Sequence, residues 1–159
     1  MAAQPPPISH ILETCLYVRD VGASVDFYKS VLNSAPFMQS PRMAGFSLGS
    51  TTLLLFQLGV TSKGFVAPKG GTIPGHGPSE SIISSLLSDN PGDRTHLKQH
   101  FCFAVGSPAD VTQWDAHLQK LGVPVTGRID WDLGGKSIYF ADPDGHVGEV
   151  GSRGIWKHY

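Results

Sequence analysis

The stretch Asp142–Val150, Asp-Pro-Asp-Gly-His-Val-Gly-Glu-Val, combines a turn with a charged strand. Pro143 fixes φ for a type I or II turn, and Gly145 tolerates the positive φ that such a turn can require. Apolar runs on both sides of the turn predict a β-hairpin over 137–151. Glu149 then lies inside the second strand, where burying an unpaired carboxylate is costly. Its side chain is therefore expected either on an open face of the sheet or bound to a positive group.

Composition limits the class of protein. The chain has 159 residues, 40% hydrophobic and 16% charged, which is typical of one globular domain or two small fused modules. A net charge of −1 gives no electrostatic basis for binding nucleic acid or an anionic membrane. No apolar run approaches the roughly 20 residues that span a bilayer. Residues 1–7 lack the pattern of a signal peptide and predict a disordered lead-in. We therefore expect a cytoplasmic protein in which Cys15 and Cys102 are reduced thiols.

A first module is predicted over 8–58. Residues 8–18 are rich in apolar, β-branched and aromatic side chains and predict a strand. Ser24 is a plausible N-cap for a helix over 25–32, whose apolar residues share one face. Three short strands are expected next, at 36–39, 44–48 and 51–57, with a two-residue turn at Gly49-Ser50.

A second module is predicted over 99–151 with the same order of elements. It begins with a strand over 99–105, and Ser107-Pro108 is typical of the start of a helix, here over 109–121. Three strands follow, at 123–130, 137–141 and 147–150. Glu13 and His100 hold the same position in the two copies, as do Cys15 and Cys102. The sequence therefore predicts an α+β fold made of two tandem βαβββ modules.

The connection between the modules, 59–98, is dominated by Gly, Pro and Ser and predicts at most one short helix, over 82–87. A loop of this length in a small domain is uncommon and is usually either functional or a linker. We interpret it as both a linker between the modules and a functional lid. His76 in this loop is a candidate substrate contact, acting as an acid or base, or else a mobile loop histidine. Residues 152–159 are expected to form a C-terminal tail.

The motifs of both copies, taken in order, resemble the vicinal oxygen chelate superfamily, which includes glyoxalase I, bleomycin-resistance proteins and extradiol dioxygenases. The resemblance is carried by Asp20, Ser24, Phe27-Tyr28 and Val31-Leu32, by His100-Phe-Cys-Phe-Ala-Val, and by Asp142-Pro-Asp-Gly145 with Glu149-Val150. It spans nearly the whole chain and is weakest over 59–98. It implies two modules that form a cupped mixed sheet around a central cavity with a divalent metal.

The same resemblance implies three metal ligands: Glu13 and His100 from the first strand of each module, and Glu149 from the closing strand. The fourth ligand position of the family aligns with Leu54, which cannot ligate. Glu13 replaces the more usual histidine or glutamine, and His10 would ligate instead only if the strand were shifted. One imidazole and two carboxylates suit Zn, Mn, Fe, Co or Ni, and three protein ligands leave positions open for water and substrate. The alternative is two solvated carboxylates and a core histidine.

Other side chains of the second module are candidates for the cavity. The resemblance directs Ser137 and Tyr139 into the pocket as substrate-binding residues, although Tyr139 is equally compatible with an aromatic core. Cys15 and Cys102 share a strand face with the predicted ligands and either line the cavity or are small buried residues. The tryptophans at 131 and 156 are expected in packing or dimer contacts, and His146 is expected to be a surface histidine.

The function implied by the resemblance is that of a glyoxalase-like metal-dependent enzyme acting on a small oxygenated organic substrate. The metal would chelate substrate oxygens and stabilise an enediolate-type intermediate in isomerase or lyase chemistry, with Glu149 or Glu13 as the base. One alternative is a metal-free small-molecule binding or sequestration protein of the bleomycin-resistance type. A second alternative is an extradiol-type ring-cleaving dioxygenase. The resemblance also implies a homodimer, because modules of this family pair within a chain or between two chains.

Overall fold

Two modules with the same order of elements account for most of the computed structural model, which describes residues 4–159. The first module consists of β1 (Glu13–Val18), α1 (Val21–Leu32), β2 (Met38–Gln39), β3 (Met43–Leu48) and β4 (Thr51–Gln57). The connection contains β5 (Phe65–Val66), β6 (Thr72–Ile73) and α2 (Glu80–Leu86). The second module consists of β7 (His100–Val105), α3 (Pro108–Lys120), β8 (Val125–Asp130), β9 (Lys136–Ala141) and β10 (Val147–Ser152). The predicted α+β fold of two βαβββ modules is confirmed.

Each module forms a four-stranded mixed sheet. The strand orders are β1-β4-β3-β2 and β7-β10-β9-β8, and in each sheet the first and last strands of the module pair in parallel while the other pairs are antiparallel. Cys15 pairs with Leu54 in the first sheet, and Cys102 pairs with Glu149 in the second. The register therefore puts Leu54 at the position that Glu149 occupies in the other module.

The helices cover one face of each sheet and leave the other face open. Leu16 and Val18 point beneath α1 and are buried, whereas Glu13 on the opposite face of β1 is exposed. The two cores are joined across the modules: Phe101 of β7 packs into the first core, and Val31 of α1 packs into the second. Because each module completes the core of the other, the two are not separable units.

Two predicted element boundaries in the first module are wrong by four residues or more. β1 begins at Glu13 rather than at residue 8, and Ile8 and Ile11 are exposed. α1 begins at Val21, because the side chain of Asp20 caps it by accepting from the backbone N–H of Ala23 at 3.0 Å. The hydroxyl of Ser24, the predicted cap, instead donates to a carboxylate of the second module.

The connection 59–98 contains more structure than predicted. Its helix, Glu80–Leu86, starts two residues before the predicted one, and the short hairpin of β5 and β6 was not predicted. Strands of two residues are too short for alternation to reveal. Within residues 4–159, no helix is long and apolar enough to cross a membrane.

The turn at 142–146 fastens the second module to the first through two buried carboxylates. Asp142 accepts the hydroxyl hydrogen of Tyr28 at 3.0 Å. Asp144 accepts from the backbone N–H of Arg19 at 2.9 Å and from the hydroxyl of Ser24 at 3.3 Å. Gly145 has φ +82°, as the predicted turn allows. The turn motif thus positions α1 of the other module.

His146 completes this connection and is fully buried, so its prediction as a surface residue is wrong. Its Nδ1 accepts the backbone N–H of Gln99 at 3.1 Å, and its Nε2 donates to the carbonyl of Tyr17 at 3.0 Å. The side-chain amide of Gln99 binds the same edge of β1. Its oxygen accepts from the backbone N–H of Tyr17 at 3.1 Å, and its nitrogen donates to the carbonyl of Cys15 at 3.0 Å. Side chains rather than a neighbouring strand therefore bond the backbone N–H and carbonyl groups at this edge of β1.

Candidate functional site

His100 and Glu149 meet on the open face of the second sheet. The imidazole Nε2 lies 3.2 Å from the Glu149 Oε2. The two residues come from the adjacent parallel strands β7 and β10 and are offset by two residues in the register. His100 retains about half of its side-chain exposure, whereas Glu149 is only 6% exposed. The structure therefore brings two of the three predicted ligands together.

The imidazole of His100 is oriented by two contacts. Its Nδ1 lies 3.2 Å from the carbonyl of Val147. A carbonyl only accepts hydrogen bonds, so Nδ1 carries a proton and Nε2 is the atom that faces the carboxylate. The ring also stacks on Tyr139, with centroids 6.1 Å apart and planes inclined by 27°. A backbone carbonyl that fixes the tautomer in this way is a common support for metal-binding histidines.

The charge of Glu149 acts on the side chains paired with it in the sheet. Burial, followed by the negative charge of Glu149, raises the pKa of the Cys102 thiol to about 12. The same two causes, in the same order, raise the pKa of Tyr139. The Cys102 thiol donates weakly to the carbonyl of Phe103 at 3.6 Å. Both groups are therefore protonated at neutral pH and supply hydrogen-bond donors rather than nucleophiles.

A cavity of about 240 Å³ adjoins the pair. Its lining consists of the two candidate ligands and five further side chains: His100, Glu149, Cys102, Tyr139, Trp131, Ile155 and Trp156. The predicted position of Tyr139 in the lining agrees with the structure. Ser137 is 1% exposed and lies behind Trp131, whose indole N–H donates to the serine hydroxyl at 2.8 Å. Ser137 thus supports the cavity wall and does not form it.

The C-terminal tail closes this cavity, which the sequence did not indicate. Ile155 packs over Gly151, where an added Cβ would lie 2.4 Å from the isoleucine Cδ1. The hydroxyl of Tyr159 donates to the carbonyl of Val105 at 3.1 Å. The only local signal for this arrangement was the glycine at 151 within an apolar strand, which permits close approach of another segment.

The third predicted ligand, Glu13, lies elsewhere. It is exposed on the open face of the first sheet, paired with Thr52. Among residues 4–159, no three His, Cys, Asp or Glu side chains converge as a metal site. Leu54 is buried beside Phe37. His10, the alternative ligand, precedes β1 and its Nε2 lies 3.1 Å from the carbonyl of Ser50. The structure therefore does not join Glu13 to the His100–Glu149 pair of the same chain.

His76 docks on the first module, away from the predicted substrate contacts of the second. Its Nδ1 lies 2.7 Å from the hydroxyl of Tyr17, and its ring meets Phe56 edge-on at 5.2 Å. It lines a separate cavity of about 300 Å³. The predicted lid is thus anchored to the open face of the first sheet.

Comparisons with known proteins match almost the whole chain. The family model Glyoxalase/Bleomycin resistance protein/Dioxygenase superfamily matches residues 8–150. The metallothiol transferase FosB of Staphylococcus epidermidis is 25% identical over 144 residues, covering 90% of this chain and 81% of the relative. The crystal structure of lactoylglutathione lyase from Agrobacterium tumefaciens is 29% identical with a TM-score of 0.76, covering 96% of this chain and 99% of that one. A glyoxalase/bleomycin resistance protein/dioxygenase from Nocardioides shares the fold, with a TM-score of 0.63 at 19% identity over 93% of this chain and 85% of its own.

Proposed function

The chain belongs to the glyoxalase/bleomycin resistance/dioxygenase superfamily, and on that basis we propose that it is a metal-dependent enzyme acting on a small oxygenated organic molecule. The observation that carries the proposal is the 3.2 Å approach of His100 Nε2 to Glu149 at the wall of a cavity. The names of two relatives, a lyase and a metallothiol transferase, support enzymatic chemistry and, for the second, a metal.

The chemistry of the donor pair fits a divalent cation. Because Nδ1 of His100 is engaged by the Val147 carbonyl, Nε2 is the ring nitrogen that faces Glu149 and that a cation would use. Nε2 and the carboxylate would hold such a cation together. One nitrogen and carboxylate oxygens suit Zn, Mn, Fe, Co or Ni. Such an ion, when bound, supplies Lewis-acid stabilisation of negative charge on substrate oxygens.

Glu13 of a second copy is the proposed third ligand, which makes the active unit a homodimer. Glu13 holds the position of His100 in the repeat, on the open face of the other module, and is exposed. Among the described residues it forms no ion pair. A twofold dimer in which the first module of one copy faces the second module of the other would complete two equivalent sites.

The protein's own groups suit proton transfer beside an oxyanion. Glu149 is the proposed base, because a buried carboxylate next to a reacting carbon can take and return a proton; Glu13 is the alternative. The hydroxyl of Tyr139 stays protonated and is available to donate to a substrate oxygen. Trp131 and Trp156 contribute apolar walls to the cavity. This set favours isomerase or lyase chemistry.

Metal content tests the proposal. Elemental analysis of the wild type, after incubation with Mn²⁺, Fe²⁺, Zn²⁺ and Ni²⁺ in turn and dialysis, should find about one equivalent per chain with at least one of these ions. His100→Ala and Glu149→Ala should each lose it, because each removes a ligand. Glu80→Ala, which removes an exposed glutamate of α2, should retain the metal. A wild type that retains none of the four ions would contradict the proposal.

Mixing variants tests the dimer separately. Glu13→Ala and His100→Ala each damage every site of their own homodimers. In a refolded equal mixture, about one quarter of the sites should combine the intact Glu13 of one copy with the intact His100 and Glu149 of the other. Recovery of about that fraction of wild-type metal is expected. Recovery of none, with both proteins folded, would refute sharing between copies while leaving the metal assignment standing.

A metal-free binding protein is the second candidate function. The observation in its favour is the lining of the cavity, in which two tryptophans, a tyrosine and an isoleucine accompany the polar pair. Apolar and aromatic walls with a few polar groups are typical of small-molecule sites in general. This alternative predicts ligand binding that chelators leave unchanged.

A further inference from the structure

The second cavity, on the first module, has its own chemistry. It lies between the open face of the first sheet and the hairpin of β5 and β6, and has a volume of about 300 Å³. That is at the lower end of the range for ligand pockets, roughly 300–1,000 Å³. Its apolar walls are formed by six side chains, Met43, Phe56, Val60, Phe65, Ile73 and Pro74. An apolar molecule of small size fits such walls.

Two cations border these apolar walls. The guanidinium of Arg42 donates to the carbonyl of Val60 at 3.2 Å, and among residues 4–159 it forms no ion pair with a carboxylate. The ammonium of Lys63 lies 3.6 Å from Glu80, with both side chains largely exposed. Exposed pairs of this kind contribute little energy. Both positive charges are therefore available to an anion.

Two other polar side chains of the lining are already hydrogen-bonded. The hydroxyl of Thr61 donates to the carbonyl of His76 at 2.8 Å, and the Nδ1 of His76 bonds the hydroxyl of Tyr17 at 2.7 Å. These bonds also fix the base of the hairpin, together with the bond from His76 N to the Thr61 carbonyl at 2.8 Å. The cavity is consequently built by the fold, and the charged side chains that line it, Arg42 and Lys63, are both cationic.

The hairpin exposes apolar side chains that have no partner in the chain's own core. Phe65 and Ile73, which pair across β5 and β6, are 52% and 50% exposed while lining the cavity. Large apolar residues that are half exposed and grouped around a concavity indicate a binding surface, whereas singly scattered ones do not. A ligand that covered them would remove apolar area from water.

We propose that this cavity binds a small organic acid with a largely apolar body, whose carboxylate is held by Arg42 and Lys63. Arg42 offers the planar donor pair that matches a carboxylate, and Lys63 adds a second charge. The cavity is at the end of β1 and β4 opposite to Glu13, about 13 Å away along the strand. It shares no lining residue with the His100–Glu149 cavity, so the inference goes beyond the proposed function and does not require a metal.

The test compares 4-phenylbutyrate with its uncharged amide, 4-phenylbutyramide, on chelator-treated full-length protein by calorimetry and amide NMR. We expect the acid to bind at least tenfold more tightly than the amide and to shift resonances of Phe56 and Ile73. Arg42→Gln and Lys63→Gln should each remove most of that preference. Lys69→Gln removes a charge from the same hairpin outside the lining and should not change it.

Three results would overturn the assignment. Equal affinity for acid and amide would show that no anion is recognised. Unchanged preference in Arg42→Gln and Lys63→Gln, with folding verified by circular dichroism, would show that other groups hold the charge. Loss of binding in His100→Ala, which lies outside this cavity, would place the acid at the other site. Failure of the metal proposal predicts none of these results, so the two are distinguishable.

Discussion

Glu149 shows how a buried carboxylate can be tolerated at a candidate site. It is 6% exposed, and the imidazole Nε2 of His100 lies 3.2 Å from its Oε2. A buried charge without such a partner would be strongly destabilising. Burial and, after it, the same charge raise the pKa of Cys102, which lies directly across the strand pair. Glu149 thus contributes to keeping its neighbour protonated.

Thiol reactivity measures this effect. In a Cys15→Ala background treated with chelator, Cys102 should react slowly with iodoacetamide at pH 8, because its pKa of about 12 leaves little thiolate. Glu149→Gln removes the charge but not the burial, so the pKa should fall part of the way to its ordinary value. The alkylation rate should rise by about tenfold for each unit of that fall. Glu80→Gln is the control and should leave the rate as it is; a slower reaction in Glu149→Gln would contradict the assignment.

At the scale of the element, the two long helices begin in different ways. In α3 the cap is local: the hydroxyl of Ser107 accepts from Asp110 N at 3.3 Å, and the Asp110 carboxylate accepts from Ser107 N at 2.8 Å. In α1, Asp20 is the cap, and Ser24 bonds Asp144 across 120 residues of sequence. The same residue type therefore has a local role in one helix and a long-range role in the other.

The local cap of α3 has a predictable energetic value. Ser107→Ala removes the acceptor for Asp110 N and should lower the free energy of unfolding by about 1 kcal/mol. Ser107→Gly leaves the helix end open to water and should lower the free energy of unfolding by only about a few tenths of a kcal/mol. Urea denaturation followed by circular dichroism measures both. Equal losses in the two variants would indicate that the hydroxyl does not act as a cap.

These helices also show why sequence reasoning succeeds in part. The α3 cap, the turn at Gly145 and the equivalence of Glu13 with His100 depend on spacing within one segment, and all are visible in the sequence. His146 bonds Tyr17, 129 residues away, and Trp156 lines a cavity with residues as distant in sequence as His100; nothing in their own segments specifies these partners. The fold was therefore predictable from repeated local patterns, whereas the cavity wall and the contact between modules required the tertiary structure.

At the scale of the whole molecule, stability depends on the buried turn at 142–146, which fastens the second module to the first. The carboxylate of Asp142 accepts from the backbone N–H groups of Asp144 and His146 and from the hydroxyl of Tyr28. Burial nevertheless raises its pKa above the ordinary 3.8. The folded state therefore binds this proton more tightly than the unfolded state does. The protonated carboxyl of Asp142 therefore contributes fully to stability below about pH 3.8, and this contribution is lost as pH rises through the folded-state pKa.

Asp142→Asn tests this linkage, because asparagine keeps an acceptor oxygen for the turn but does not titrate. The unfolding free energy of the wild type minus that of the variant should be largest near pH 4 and decrease as the pH rises. Denaturation curves at closely spaced pH values give the difference. Asp26→Asn, which neutralises an exposed carboxylate of α1, serves as the control for charge removal. A difference that grows with pH would contradict the raised pKa.

The position of that turn in the chain bears on how a newly made molecule folds. Its bonds to Tyr17, Arg19, Ser24 and Tyr28 each span between 114 and 129 residues. A ribosome therefore releases β1 and α1 long before their partners exist, and contacts of such separation form slowly. Until then the edge of β1 that Gln99 and His146 later occupy is an unpaired strand edge, open to pairing with other chains. This architecture therefore exposes the chain to aggregation during synthesis, until the turn is made and the edge of β1 is covered.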